Sequence, residues 1–404
     1  MDKRDEVCFE GPTVTKWLGQ LDDGTLERVA EALRAGDLVA FPTETVYGLG
    51  ANASQNSAVQ AVYRIKGRPA QDPLIVHCST YEQTTKYISE DATKWQRAIH
   101  EVLARRFWPG PLTLILPCNP RLIVSSVTGG TGWVGLRCPN HPIAKRLLEF
   151  ADCPVAAPSA NLFGHVSPTT AQHVFDDFPN VDNLWIVDGG SCGFGIESTV
   201  VRIHEENNVE ILRRGGIGRD ELIACLVDSG VFSGTEEAQN SVKVIERFVG
   251  LKSSLPSMVS PGQMLVHYSP RIMMQMVQWS SYENTVIHWN AISSERLRKT
   301  ILIDFSGMFS ALTKRVEMYR DLSQSGSSME AAHELFSTLR WAENSAGEDH
   351  EQWQIWIFDP RALQIKQTDE LFLALSDRIY RAAAGRAMRI CIKPNSDQVF
   401  SSVH

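Results

Sequence analysis

The sequence predicts an α/β protein of two domains joined by an extended linker. Short apolar runs alternate with amphipathic helical stretches up to Asp228, apolar density drops between Asp228 and Ser260, and the alternation returns after Pro270. Alternating strands and helices bury an open sheet beneath helices. A chain of 404 residues is long enough for two or three such units at roughly 100–200 residues each.

Each element follows from its pattern. Between Thr25 and Ala35, Leu26, Val29, Ala30 and Leu33 share one helical face, and the run Leu38 to Phe41 after Gly36-Asp37 reads as a strand. Ala58, Val59, Ala61, Val62 and Ile65 mark a second helix, stopped by Gly67 and Pro69 ahead of the buried strand "PLIVHC". Further strand candidates are "LTLIL", "WVGLR", "VAA", "LWIV", "TVVRI" and "VEILR"; helical patterns lie around Lys94 to Ala104, Pro142 to Phe150 and Arg219 to Val227. Ser, Gly, Glu and Lys then dominate, apart from a short amphipathic piece around Val242 to Val249. The prolines of "SPGQMLVHYSP", Ser260 to Pro270, hold that segment extended and keep it out of a central strand. Beyond it, "NTVIHW", "ILIDFS" and "IWIFDP" read as strands, and Met329 to Ala342 and Leu371 to Ala384 as helices, of a smaller open-sheet unit. The expected division is an N-terminal extension over 1–24, a first domain over 25–228, a linker over 229–270 and a second domain over 271–404.

Composition bounds the function. Hydrophobic residues make up 43% and charged residues 21%, and no apolar run approaches the roughly 18 residues that span a bilayer, so no membrane is expected. The start is charged with both signs and lacks the apolar core of a signal peptide, which makes the cytoplasm the expected compartment. Eight cysteines stand singly, without C-x-x-C pairs, as reduced thiols do. A net charge of −8 argues against indiscriminate coating of nucleic acid, yet leaves room for a local basic cleft.

The residues that carry chemistry cluster at strand ends. Gly48 to Ala53, "GLGANA", fits the dinucleotide pattern G-x-G-x-x-G/A, with Asp72 downstream at the fingerprint's spacing of about 20 residues. However, Pro42 to Tyr47 separates the strand from the first glycine, where a dinucleotide fold runs straight into it. A ligand pocket is the stronger reading: Thr43 and Thr45 offer hydroxyls, Tyr47 a wall, and Gly48 and Gly50 backbone room for a turn behind it. Lys66 and Arg68 flank Gly67; two cations on a turn suit a polyphosphate, or else form a solvated helix end favoured by its dipole. Arg137 closes an apolar strand, where a guanidinium needs either a substrate carboxylate or a structural ion partner. "APSAN" and "IESTVV" bring Ser159, Asn161, Ser198 and Thr199 as anion donors or as turn and cap residues, and Arg213 and Arg214 of "ILRRGG" carry the same ambiguity. His77 alone reads as a core histidine. No serine triad is readable, and the sequence has no Walker A motif or H-E-x-x-H helix. Cations and neutral donors at strand ends fit catalysis by positioning two ligands and stabilising phosphoryl charge.

In order, "PTETVYGLG", "KGRP" with "PLIVH", "FWPGPLTLIL", "VGLR", "PSAN", "GIESTVV" and "ILRRGG" resemble the threonylcarbamoyl-adenylate synthase family with its YrdC-like domain, over Thr25 to Leu226. "SPGQMLVHYSP" and the chain beyond Pro270 are similar to the long, two-domain branch of that family. The resemblance implies a YrdC-like open twisted sheet with a concave ligand cleft, a linker acting as active-site lid, and a smaller Rossmann-like α/β domain. It implies a nucleotidyltransferase that makes L-threonylcarbamoyl-AMP and pyrophosphate from L-threonine, bicarbonate or CO2, and ATP. Mg2+ is expected through the ATP phosphates, with no protein metal site. The product feeds formation of N6-threonylcarbamoyladenosine in tRNAs reading codons that begin with A, through a downstream transferase machinery, so tRNA is an indirect partner.

By the same resemblance, threonine contacts fall on Thr43, Thr45, Tyr47, His77, Arg137, Ser159 and Ser198. Nucleotide contacts fall on Lys66, Arg68, Asp72, Trp133, Ser159, Asn161, Thr169, Arg213 and Leu265, and Lys66, Arg68 and Arg137 carry the chemistry. There are departures from the family pattern. Leu265 stands where a linker tyrosine is usual, Trp133 where Thr is common, Asp72 where Asn is frequent and Arg214 in place of a proline, with extra residues around Trp279 to Lys299. Two other readings compete: an RNA-binding module with a basic concave surface and no nucleotide turnover, and a dinucleotide dehydrogenase.

Overall fold

The computed structural model describes residues 15–19, 21–205, 208–231, 243–246, 268–280, 290–363, 369–392 and 398–403. Leu265 and the "NTVIHW" segment, residues 284–289, lie outside the described residues.

The first unit runs β1 (Lys16–Leu18), α1 (Asp23–Ala35), β2 (Leu38–Phe41), β3 (Gly48–Asn52), α2 (Asn56–Lys66), β4 (Ile75–His77), α3 (Tyr81–Lys86), α4 (Lys94–Phe107), β5 (Leu112–Pro117), β6 (Trp133–Arg137), α5 (Pro142–Ala151), β7 (Val155–Ala156), α6 (Ala171–Asp177), β8 (Leu184–Val187), β9 (Thr199–Ile203), β10 (Asn208–Arg213), α7 (Arg219–Asp228) and β11 (Lys243–Glu246). Among the described residues these form an 11-stranded mixed sheet in the order β1-β8-β2-β3-β7-β4-β6-β5-β9-β10-β11. The helices expected from periodicity form, and the first shows how its ends are closed. In α1, Asp22 accepts from Thr25 N at 2.7 Å, and Gly36 closes the helix at φ 108°, an angle that favours glycine. Leu26, Val29, Ala30 and Leu33 point inward as their spacing requires.

Two expectations are corrected. Gly48 and Gly50 do not make a turn: they lie in β3, antiparallel to β2, with Gly48 opposite Phe41 and Gly50 opposite Val39. A Cβ at Gly50 would sit 2.9 Å from Phe41 Cε1 and 3.0 Å from Val155 Cγ1, so glycine here admits close neighbours instead of bending the chain. The chain reverses one step earlier, across 42–47. The amphipathic piece placed in the linker contributes β11, which pairs parallel with β10 and extends the first sheet.

The second unit comprises β12 (Met273–Trp279), β13 (Asn290–Ala291), α8 (Ser294–Arg298), β14 (Thr300–Asp304), β15 (Met318–Asp321), α9 (Ser328–Ser345), β16 (Gln354–Phe358), α10 (Glu370–Ala382), β17 (Ala387–Ile392) and β18 (Val399–Val403). β17, β12, β16, β14 and β15 are successive parallel neighbours, with β18 and β13 antiparallel at one edge. The expected Rossmann-like unit is therefore present. β12, β15, β17 and β18 escaped the sequence reading because polar residues interrupt their apolar positions.

The second core, built on Ile301 to Ile303 and Ile355 to Phe358, takes in Val46, Val166 and Ile196 from the first unit. An apolar seam thus continues from one unit into the other. Gly195, at φ 85°, sits where an added Cβ would lie 2.5 Å from His333 Cα on α9. Only glycine allows so close an approach. No helix among the described residues is long and apolar enough to cross a membrane.

Candidate functional site

The parallel strands β4 and β6 end side by side, with His77 registered against Arg137. β3 lies across β7 from β4, with its last residue, Asn52, level with His77 through Val155, and its first, Gly48, forms an antiparallel bridge to Ser159, just after β7. β9 runs parallel to β5, which is antiparallel to β6, so the start of β9 brings Ser198 to the same edge. These chain ends enclose a pocket lined by Thr43, Val46, Tyr47, Gly48, Arg68, Ile75, His77, Arg137, Ala157, Pro158, Ser159, Glu197, Ser198 and Arg213. Residues separated by as much as 170 positions meet because the sheet order sets β3, β7, β4, β6, β5 and β9 side by side.

One side of the pocket is a hydroxyl chain fixed by a cation. Arg137 Nη2 donates to Thr45 Oγ1 at 2.8 Å, the Thr43 and Thr45 hydroxyls lie 2.9 Å apart, and Thr43 donates to the Val46 carbonyl at 2.6 Å. Such chains polarise one another. Tyr47 is pinned behind them, donating to the Gly190 carbonyl at 2.7 Å and accepting from Gly189 N at 3.1 Å, and burial raises its pKa. His77 Nδ1 lies 3.2 Å from the Ile75 carbonyl and can only donate to it, so Nε2 is the acceptor. Burial first, and then the Arg137 charge, push its pKa down to about 3, so the ring is neutral at pH 7.

The other side is cationic. Arg68 pairs with Asp72 Oδ2 at 2.9 Å and donates to the Asp72 and Pro73 carbonyls at 3.1 and 3.0 Å. Burial raises the Asp72 pKa against the pull of Arg68, and its Oδ1 is buried with no hydrogen-bond donor. Arg213 donates from Nε to the Ser198 carbonyl and from Nη2 to Ser198 Oγ, both at 3.1 Å, and burial lowers its pKa.

The remaining candidates from the sequence stand apart from the pocket lining. Lys66 is buried, with its ammonium on the carbonyls of Ser159 and Asn161, so it fastens the loop that carries them. Burial, and then the Arg68 charge, drive its pKa well below the ordinary value. Asn161 donates to the Leu162 and His165 carbonyls at 2.7 and 2.9 Å. Thr169 packs against His173, its N and Oγ1 lying 3.3 and 3.4 Å from Nδ1. The Trp133 ring lies under the Arg202 guanidinium, 4.2 Å from ring centroid to Cζ.

Sequence reasoning missed four residues at or behind this site. Glu44 lies 2.9 Å from Arg137 Nη2, and Glu197 accepts from Ser167 Oγ at 2.7 Å and from Arg378 Nε at 3.2 Å. Arg378 comes from α10 of the second unit and is fully buried. Arg340, from α9, binds Asp177 behind the Asn161 loop. The acid between two threonines was a visible signal for Glu44; the arginines lie on helices whose pattern shows only amphipathicity.

Comparison with known proteins agrees with this architecture. A family model described as "Telomere recombination" matches residues 31–215, and one described as "Threonylcarbamoyl-AMP synthase, C-terminal domain" matches residues 223–384. The chain is 41% identical over 253 residues to a threonylcarbamoyl-AMP synthase of Bacillus subtilis, covering 62% of this chain and 65% of the relative. It is 40% identical over 254 residues to that of Pyrococcus abyssi, covering 62% and 67%. The match thus spans about two-thirds of these curated relatives. The crystal structure of P. abyssi Sua5 complexed with L-threonine superposes with a TM-score of 0.72 at 29% identity, over 94% of this chain and 99% of that one. The chain belongs to the threonylcarbamoyl-AMP synthase family.

Proposed function

We propose that this protein synthesises L-threonylcarbamoyl-AMP and pyrophosphate from L-threonine, bicarbonate or CO2, and ATP, the first step toward N6-threonylcarbamoyladenosine in tRNAs reading codons that begin with A. One observation carries the reading: a single pocket is lined by Arg137, Thr43, His77 and Ser198 together with Arg68, Arg213 and Ser159. A site for a small hydroxylated carboxylate adjoins a site for phosphates. The synthase relatives favour this over the RNA-binding reading.

In this reading Arg137 binds the threonine carboxylate, while Thr45, Tyr47 and Ser198 shape its surroundings and neutral His77 accepts from the substrate hydroxyl. The carboxylated amine then presents a carbamate oxygen to the α-phosphorus, and pyrophosphate leaves in line. Arg68 and Arg213 offset the charge that develops on the leaving group. Lys66 joins them when its ammonium exchanges loop carbonyls for phosphate oxygens. Asn161, Thr169, Trp133, Asp72 and Leu265 remain nucleotide-side candidates. Mg2+ would enter with ATP and would supply charge neutralisation at the phosphates, and Asp72, whose Oδ1 is buried without a donor, would be the acceptor for its hydration shell. The adenylate passes to a transferase that acts on tRNA. Free thiols at the described cysteines accord with a reducing compartment such as the cytoplasm.

The test is pyrophosphate release from MgATP with bicarbonate, with and without L-threonine. Threonine-dependent release that Arg137→Ala abolishes supports the proposal; release indifferent to threonine, or none from the wild type, overturns it.

A further inference from the structure

We infer that Glu44 and Arg137 form a clamp for a zwitterion: Arg137 takes the carboxylate of the bound amino acid, and Glu44 takes its ammonium and then a proton from it. The inference rests on the threonine-activating reading above.

Glu44 sits in the 42–47 turn, between the two threonines of the hydroxyl chain. Its Oε1 lies 2.9 Å from Arg137 Nη2, with only 15% and 5% of the two side chains exposed. Despite that proximity, both Glu44 oxygens are buried without an aligned donor, and Arg137 Nε is buried without an acceptor. The Arg340–Asp177 pair differs in its carboxylate: both Asp177 oxygens accept aligned bonds from Arg340, at 3.1 and 2.8 Å, although Arg340 Nε is also buried without an acceptor. Buried charges are normally satisfied. Here two acceptors and a donor stay unspent beside a pocket that Arg137 lines. An α-amino acid carries the complementary pair, a carboxylate and an ammonium on one carbon. The other groups facing Glu44 are His141, at the start of α5, and Cys192, before β9. Burial holds His141 below its ordinary pKa and raises that of Cys192 to about 12, so both are neutral near pH 7.

The step balances as R–NH3+ plus HCO3− giving R–NH–COO−, H2O and H+. An N–C bond forms, and a C–O bond of bicarbonate breaks. Of the two protons that nitrogen loses, one leaves with the departing hydroxide as water and the other passes to the Glu44 carboxylate, which returns it to solvent.

The test compares L-threonine with 3-hydroxybutyrate, which keeps carboxylate and hydroxyl but has no amine, by calorimetric titration of the full chain. Glu44→Gln should weaken L-threonine at least about tenfold and leave 3-hydroxybutyrate unchanged or tighter, with Glu44→Asp intermediate. Equal losses for both ligands, or loss for neither, overturn the clamp; unliganded melting midpoints identify any variant that misfolds, and Glu44→Asp then carries the comparison. In pyrophosphate release, the deficit of Glu44→Gln should shrink as pH rises toward about 9, where free amine accumulates. A deficit constant with pH overturns the proton transfer. A wild type that binds L-threonine but releases no pyrophosphate would sink the synthase reading, while the two titrations would still decide the clamp.

Discussion

Arg340 on α9 grips both carboxylate oxygens of Asp177 on α6, at 3.1 and 2.8 Å, with 4% and 1% of the side chains exposed. Asp177 also receives the backbone N–H of Leu162 at 3.2 Å and the ring of His165 at 2.9 Å. A guanidinium from the second unit therefore fixes the loop that carries Asn161 in the first. The second unit helps to hold the site's shape.

Breaking that pair should cost more than a surface ion pair does. Arg340→Ala strips a buried carboxylate of its guanidinium and leaves it to His165 and the Leu162 N–H, and is expected to lower stability by about 3 kcal/mol, measured by denaturant unfolding. Arg340→Lys should recover only part of the loss, because an ammonium cannot fork two oxygens.

His165 makes the same junction sensitive to pH. Nδ1 bonds Asp177 and Nε2 bonds Glu343 of the second unit, 2.9 and 2.8 Å away, so both bonds exist as donors only in the imidazolium. Burial opposes the charge, yet the two carboxylates outweigh it and raise the pKa above 6.5. A raised histidine pKa contributes stability that is fully present below 6.5 and is lost as pH rises through the folded value. The stability difference between wild type and His165→Gln should thus shrink from pH 6 toward pH 9. Thermal melts of the two proteins across that range check it, and taking the difference cancels the opposing effect of His77, whose depressed pKa weakens the fold as pH falls.

Thr45→Ala removes the acceptor of Arg137 Nη2 and one link of the hydroxyl chain. L-threonine binding should fall by roughly tenfold, the worth of one such bond, with ATP affinity little changed. Separate titrations with each ligand decide it, and the reverse order would return a phosphate role to the 42–47 turn.

Gly50→Ala tests the strand assignment. With Phe41, Val155 and the Val39 carbonyl within 3.1 Å of the new Cβ, overpacking should destabilise by about 1–3 kcal/mol. Ligand affinities of the molecules that remain folded should not change.

By itself the sequence determined the α/β class, most helices and apolar strands of the first unit, and a list of polar residues at strand ends, because periodicity and capping are local properties of the chain. Thr43, His77, Arg137, Ser159 and Ser198 were legible as a group, and the pocket does bring them together. Only the tertiary structure decided that Gly48 and Gly50 lie flat in β3, since the reason is the bulk of Phe41 and Val155 from other strands. It alone turned the Lys66 ammonium onto loop carbonyls, set Glu44 against Arg137 and brought Arg340 and Arg378 across from the second unit. Those relationships depend on which strands, loops and helices pack side by side and on the burial of each charge, and a buried charge takes whatever partner the packing places within reach.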